Sequence, residues 1–246
     1  MLGGQIIMTH YMSARTIAQA PASERLEFLK GVFGYTVAGL AIAAVSGVIS
    51  ANVLAPALLS GGMVYFVVVL GAMFGAQYFG HKLASGPVPQ LGLLVGSGLM
   101  GLAMGPMLLM AYAMGLQGPT SSGLSLIGQA MGLTILTAGG MVGYVWTEKR
   151  DFSMLRAGLS ALMLPLIVLM VVSFFVPALS GGGTLSLMLS GGFILVSAGA
   201  MLYELNTIIH TIDTEHKVLA AVMLTMSVLI LFWNILIFLM KLQSRD

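Results

Sequence analysis

Hydrophobic and polar positions alternate along this chain in long blocks. Seven apolar stretches stand out, at about Gly31 to Ala51, Pro56 to Tyr78, Leu91 to Gly115, Leu124 to Trp146, Leu155 to Val176, Leu185 to Ile209 and Val218 to Met240. Each has the ~20 residues that an α-helix needs to cross ~30 Å of hydrocarbon. The pattern therefore predicts seven membrane-spanning helices with short connections. Those connections carry turn chemistry, as in Ser85-Gly86-Pro87-Val88-Pro89, Gly118-Pro119-Thr120-Ser121-Ser122-Gly123 and Ser180-Gly181-Gly182-Gly183.

The charges sort with the blocks. Arg15, Arg25 and Lys30 precede the first stretch, Lys82 lies between the second and third, Lys149, Arg150 and Arg156 in the fourth-to-fifth region, where Arg156 is the second residue of the fifth stretch, and Lys217 between the sixth and seventh. That is eight of the ten basic residues on one face, the other two, Lys241 and Arg245, following the last stretch. Basic loops stay in the cytoplasm, which places the N-terminus inside and, with seven crossings, the C-terminus outside.

Composition narrows the class further: 58% of residues are hydrophobic and 7% charged, with a mean hydropathy of +1.01. A soluble domain has about 25% charged residues, so this chain cannot cover a water-facing surface. The expected organisation is a polar cytoplasmic N-terminal tail over residues 1–30, open to a partner protein, and one seven-helix transmembrane domain over 31–246 with no room for a soluble catalytic module. The tail lacks the apolar core of a secretory signal. With no cysteine, disulfides, thiol nucleophiles and thiolate metal sites are excluded. A net charge of +2 calls for no nucleic-acid partner, since the basic residues are accounted for by topology.

Within the stretches, small residues recur every fourth position: Gly92 and Gly96, Gly101 and Gly105, Gly128 and Gly132, Gly139 and Gly143, and Gly39 with Ala43 and Gly47. Such stripes let helix backbones approach closely in lipid, and tight packing within one bundle is the expected use. Pro106 and Pro165 interrupt the third and fifth stretches, where each removes an amide donor and is expected to kink its helix. The twenty methionines read as adaptable packing residues.

One formally charged side chain falls inside a predicted span. Glu204 lies in Leu202-Tyr203-Glu204-Leu205-Asn206-Thr207-Ile208-Ile209-His210, about 9 Å from the end of the helix if that end is His210. A carboxylate in hydrocarbon costs at least ~2.5 kcal/mol, so it faces a bundle interior or a watery cavity and marks a working site by default. Ser197, Glu204, Thr207 and Thr211 share one helical stripe, and Tyr203, Asn206 and His210 a neighbouring one. The structural alternative is a hydrogen-bonded glutamate that ties the sixth helix to the seventh. A second dense segment, Thr147-Glu148-Lys149-Arg150-Asp151-Phe152-Ser153, reads as a basic cytoplasmic loop with Asp151 or Ser153 capping the next helix.

Together, Thr147 to Ser153 and Gly199-Ala200-Met201-Leu202-Tyr203-Glu204-Leu205-Asn206-Thr207-Ile208-Ile209-His210 resemble the Bax inhibitor-1 family of seven-helix membrane proteins, over nearly the whole chain from Gly31. The likeness is nearer to the YccA-like bacterial branch, on the glutamate after the aromatic residue, the Gly105-Pro106 step and the Ser244-Arg245-Asp246 ending. The resemblance implies an all-α bundle with the last helix central and a polar site between the sixth and seventh helices. In calcium-leak members that site is a pair of aspartates sharing a proton. Glu204 matches the first acid, whereas the second falls at Ser227 or at Leu231, neither of them acidic. That departure removes the like-charge coupling of a two-acid pH sensor.

The YccA-like branch implies instead a bacterial inner-membrane protein that is a substrate and modulator of the membrane-anchored FtsH protease, or a stress-protective factor, gripped through the N-terminal tail. No nucleophile has a base at helical spacing, so no enzyme is expected, nor any cofactor, with Ca2+ entering only as a permeant ion. The alternative is a pH-sensitive calcium or cation leak, for which the pathway residues would be Glu204, Ser227, Asn206, Thr207, His210 and Asp151. A small-solute transporter ranks last, since the proline-broken helices form no repeat.

Overall fold

A computed structural model describes residues 21–56, 63–118, 122–147 and 183–244, together with scattered helical positions between 157 and 172. Its elements are helices: α1 (Ala22–Val53), α2 (Met63–Ala84), α3 (Pro89–Gln117), α4 (Ser125–Thr147), α5 (Thr184–His210) and α6 (Lys217–Gln243). Five of these six are long and apolar enough to cross a membrane. The bounds of α3, α4, α5 and α6 fall within three residues of the third, fourth, sixth and seventh apolar stretches. The fifth stretch lies mostly outside the described residues, but Pro165 is among its described positions, helical and exposed.

The last predicted span, α6, touches every other described helix. It lends Ala221, Leu224, Leu231 and Leu236 to a core shared with α1, α3, α4 and α5, and Val218, Val222, Met226 and Leu229 to a second core against α1, α2 and α3. Hydrophobicity does not separate helix from lipid in hydrocarbon, so what holds these helices together is close packing and hydrogen bonding.

Glycine supplies the closeness in the α1–α2–α3 sector. A Cβ on Gly101 would stand 2.2 Å from the Ala43 carbonyl, one on Gly105 2.7 Å from the Ala51 nitrogen, and one on Gly92 2.3 Å from the Ala84 nitrogen. All three are contacts with backbone, which cannot rotate away. In α4 the expected close approach is not seen among the described residues, none of which lies within 4 Å of a Cβ built on Gly128, Gly132 or Gly139. Less of α4 is buried against those residues, 17% of its span as against 56% for α3.

Pro106 sits inside the unbroken helix α3 and is buried. Its missing amide leaves the Leu102 carbonyl without the usual i+4 donor. Ser50 of α1 fills the vacancy, its hydroxyl donating to Leu102 O at 2.7 Å. Gly105 beside it is what lets the serine come so near.

The first helix begins at Ala22, nine residues before the expected Gly31. Pro21 stands at its N-cap, and the added turns have tertiary partners: Phe28 is fully buried with Val32 among Ile208, Ile212 and Ala220, and Glu27 accepts from Lys217 Nζ at 2.9 Å. These turns are polar enough to leave the membrane, so hydropathy does not register them as helix.

Two glycine replacements separate the packed stripes from the open one. Gly101→Ala is expected to destabilise the bundle by about 1–3 kcal/mol through overpacking, whereas Gly132→Ala is expected to leave the melting temperature in detergent unchanged. Equal melting temperatures for both would contradict the α1–α3 contact.

Candidate functional site: the α5–α6 seam

The tight turn Thr211 to His216 folds α6 back antiparallel to α5, its closure marked by the His216 amide donating to Asp213 O at 3.0 Å. This brings Glu204, six residues before the end of α5, level with Ser227, ten residues into α6. The Ser227 hydroxyl donates directly to Glu204 Oε2. Ser227 is buried and Glu204 half-buried. Of the two positions open for the partner, the structure selects Ser227, because Leu231 is fully buried in the apolar core.

The remaining expected site residues do not gather around this pair. The Thr207 hydroxyl donates to Tyr203 O at 2.9 Å, and His210 Nδ1 lies 3.0 Å from Asn206 O, both bonds within α5. Asn206 is buried two residues from Glu204, a step of ~200° that puts it on the far face of the helix. Asp151 lies outside the described residues.

What sequence reasoning missed is the extension of the site along the seam. Ser190, Ser197 and Glu204 stand seven residues apart on α5, and Ser227, Asn234 and Lys241 seven apart on α6. A seven-residue repeat keeps facing positions of two supercoiled helices in register. With Glu204 level with Ser227, Ser197 is level with Asn234 and Ser190 with Lys241. Two contacts hold this register: Lys241 Nζ donates to Ser186 O at 3.3 Å, and a Cβ on Gly191 would stand 3.9 Å from Phe238. In the sequence Lys241 served only as a topology charge. The repeat of seven in both helices was the signal that could have found it, and Asn234 with it.

Chemically the pair offers one titratable carboxylate and one hydroxyl. That falls well short of the six to eight oxygen ligands that a resident calcium ion takes. Among the described residues no group of three or more His, Cys, Asp or Glu side chains could hold a metal.

With this geometry in hand, the likeness to known proteins is specific. The family described as "Inhibitor of apoptosis-promoting Bax1" matches residues 25–245, almost the whole bundle. The chain belongs to the Bax inhibitor-1 family. It is similar to the "Modulator of FtsH protease YccA" of Escherichia coli (strain K12), 28% identical over 185 residues that cover 73% of this chain and 76% of the relative. An uncharacterized protein of Pseudomonas aeruginosa is 30% identical over 171 residues, 70% of this chain and 72% of its own. A "Golgi anti-apoptotic protein" of Vaccinia virus (strain Lister) is 36% identical over 93 residues, 38% of each chain. Family membership rests on the bundle as a whole, and the Glu204–Ser227 pair is the polar feature that this member places between its last two helices.

Glu204→Ala, Ser227→Ala and the double variant form a thermodynamic cycle. Side chains in direct contact couple by about 0.5–3 kcal/mol, and a coupling in that range is expected from detergent unfolding. Additivity within ~0.3 kcal/mol would show that the two do not interact.

Proposed function

We propose that the protein is a bacterial inner-membrane modulator and substrate of a membrane-anchored FtsH-type protease, gripped through the segment that precedes α1. The observation that carries this reading is the likeness to the Escherichia coli protein named as such a modulator, which extends over three quarters of both chains. The geometry is consistent with it. The start of α1 lies at the same end of the bundle as the α5–α6 turn, joined there by Glu27–Lys217 and by Phe28 beneath it. By the distribution of basic residues that end faces the cytoplasm.

The test is degradation in cells. Deleting residues 1–20 is expected to lengthen the half-life of the protein at least about twofold while the melting temperature of the purified bundle stays the same, since chain termini are where proteolysis concentrates. An unchanged half-life, with no protease co-purifying with the full chain, would remove this reading.

A second reading is favoured by one observation, the polar seam around Glu204. The chain would then be a proton-sensitive cation leak, with Glu204 as its titrating group and Ser227 as the hydrogen-bond donor that orients it. Cation flux into liposomes should then vary over about pH 5 to 8, the range in which enzymes and sensors tune buried acids. Glu204→Gln should flatten that dependence with no loss of thermal stability. A flux that keeps its full pH dependence in this variant would reject Glu204 as the sensor.

A further inference from the structure

Two features of the seam point in opposite electrostatic directions. Its inner layers present acceptors. Ser190 spends its hydroxyl proton on Ser186 O at 2.9 Å, Ser197 on Ile194 O at 2.9 Å, and Asn234 commits its Nδ2 to Ile230 O at 3.0 Å. What the two serines have left for the seam is oxygen lone pairs, and Asn234 keeps its amide oxygen together with a second N–H, before the series ends at the Glu204 carboxylate one heptad further on. Oxygen-lined layers of this kind suit a cation or a water chain that carries one. The end of the seam away from Glu204, by contrast, is occupied by a tethered cation. Lys241, half-buried in the last turn of α6, puts its ammonium on the Ser186 carbonyl, level with Ser190. Lys241 does not pair with Glu204, since fourteen residues of helix, ~21 Å, separate their layers.

We propose that Lys241 is a charge plug of the α5–α6 seam, its ammonium held on the Ser186 carbonyl where a mobile cation would enter the acceptor-lined layers Ser190, Ser197–Asn234 and Glu204–Ser227. The ammonium acts in two ways. It fills the first acceptor position itself, and it repels any second cation across a short, poorly screened distance. A lysine in this place makes the seam selective against cations whatever the state of Glu204. The inference goes beyond the leak reading and does not need the wild-type chain to conduct.

The test uses the full chain in vesicles of phosphatidylethanolamine and phosphatidylglycerol, with K+, Na+ and Ca2+ flux each measured. Lys241→Gln and Lys241→Met remove the charge, and either is expected to raise monovalent cation flux at least about tenfold over the wild type, a change equivalent to ~1.4 kcal/mol. Lys241→Arg keeps the charge and should stay at the wild-type level. Adding Asn234→Leu to Lys241→Gln closes the middle layer with an apolar side chain and should return the flux to near the wild-type value. If neither Lys241→Gln nor Lys241→Met is monodisperse, Lys241→Ala removes the ammonium with a smaller side chain and should open the seam in the same way. Neutral variants that are folded and conduct no more than the wild type overturn the plug, as does a leak that survives Asn234→Leu. The leak reading is judged separately, on wild-type flux. A silent wild type with a conducting Lys241→Gln sinks that reading and keeps the plug, and a conducting wild type unaffected by Lys241→Gln does the reverse.

Discussion

Inside hydrocarbon a polar group has no water to bond to, and the rest of this structure follows from how the chain meets that constraint. Most hydroxyls in the spans answer it locally. Thr36 donates to Val32 O at 2.8 Å, Thr134 to Ala130 O at 2.7 Å and Thr225 to Ala221 O at 2.7 Å, each one turn back along its own helix. Proline cannot be answered locally, because the carbonyl it orphans lies on the same helix with no amide to spare. Pro106 therefore needs a second helix, and Ser50 of α1 supplies the donor. That bond demands a close approach, the approach demands Gly101 and Gly105 on α3, and α1 and α3 so joined form a wall on which α6 is seated.

Against this background a polar contact between helices stands out by not being local. Glu204 and Ser227 bond across the α5–α6 seam, although a serine could have bonded back along α6 as Thr225 does. A carboxylate oxygen accepts and cannot donate when ionised, so a hydroxyl is a matched partner for it and a second acid would not be. Replacing an acid by serine also changes what the site can sense. Two carboxylates in contact share one proton and titrate as a pair, whereas a single carboxylate beside a hydroxyl titrates as one group with one charge step. Membership in the family fixes the architecture around this pair, not the use made of it.

The spans were legible because hydropathy in blocks of ~20 residues is the strongest signal that a sequence carries. Their ends at Pro89, Ser125, Thr184 and Lys217 were legible too, since loop chemistry adjoins them. Glu204 was legible as a charge in an apolar block, and Ser227 as its partner only as one of two registers. The seam beyond them was not read, because Asn234 and Lys241 are ordinary residues singly and acquire meaning only when α5 and α6 are laid antiparallel. The start of α1 was missed for a different reason: residues Ala22 to Lys30 are polar by composition, and their helix depends on Phe28 finding the α5–α6 end of the core. The glycines of α4 show the converse error. A stripe of small residues permits close packing but does not specify it, and among the described residues nothing lies close against Gly128, Gly132 or Gly139.

The two readings of function meet at one end of the molecule. A protease that pulls on the segment before α1 first loads the Glu27–Lys217 pair, which is exposed on the Glu27 side and so offers little resistance. Phe28 would come next, since it is fully buried in the core that also holds Ile208, Ile212 and Ala220 at the α5–α6 turn. On the modulator reading, the same pull would then disturb the core beneath the helix pair carrying Glu204 and Ser227. Real resistance begins only further along α1, where Ala43 and Ser50 are seated against Gly101 and Gly105. A modulator that must occupy a protease without being consumed at once needs this order, a readily loaded handle ahead of a firmly packed helix. On the modulator reading, the glycine seam of α1 and α3, not the ion pair, would set how long the chain withstands the pull.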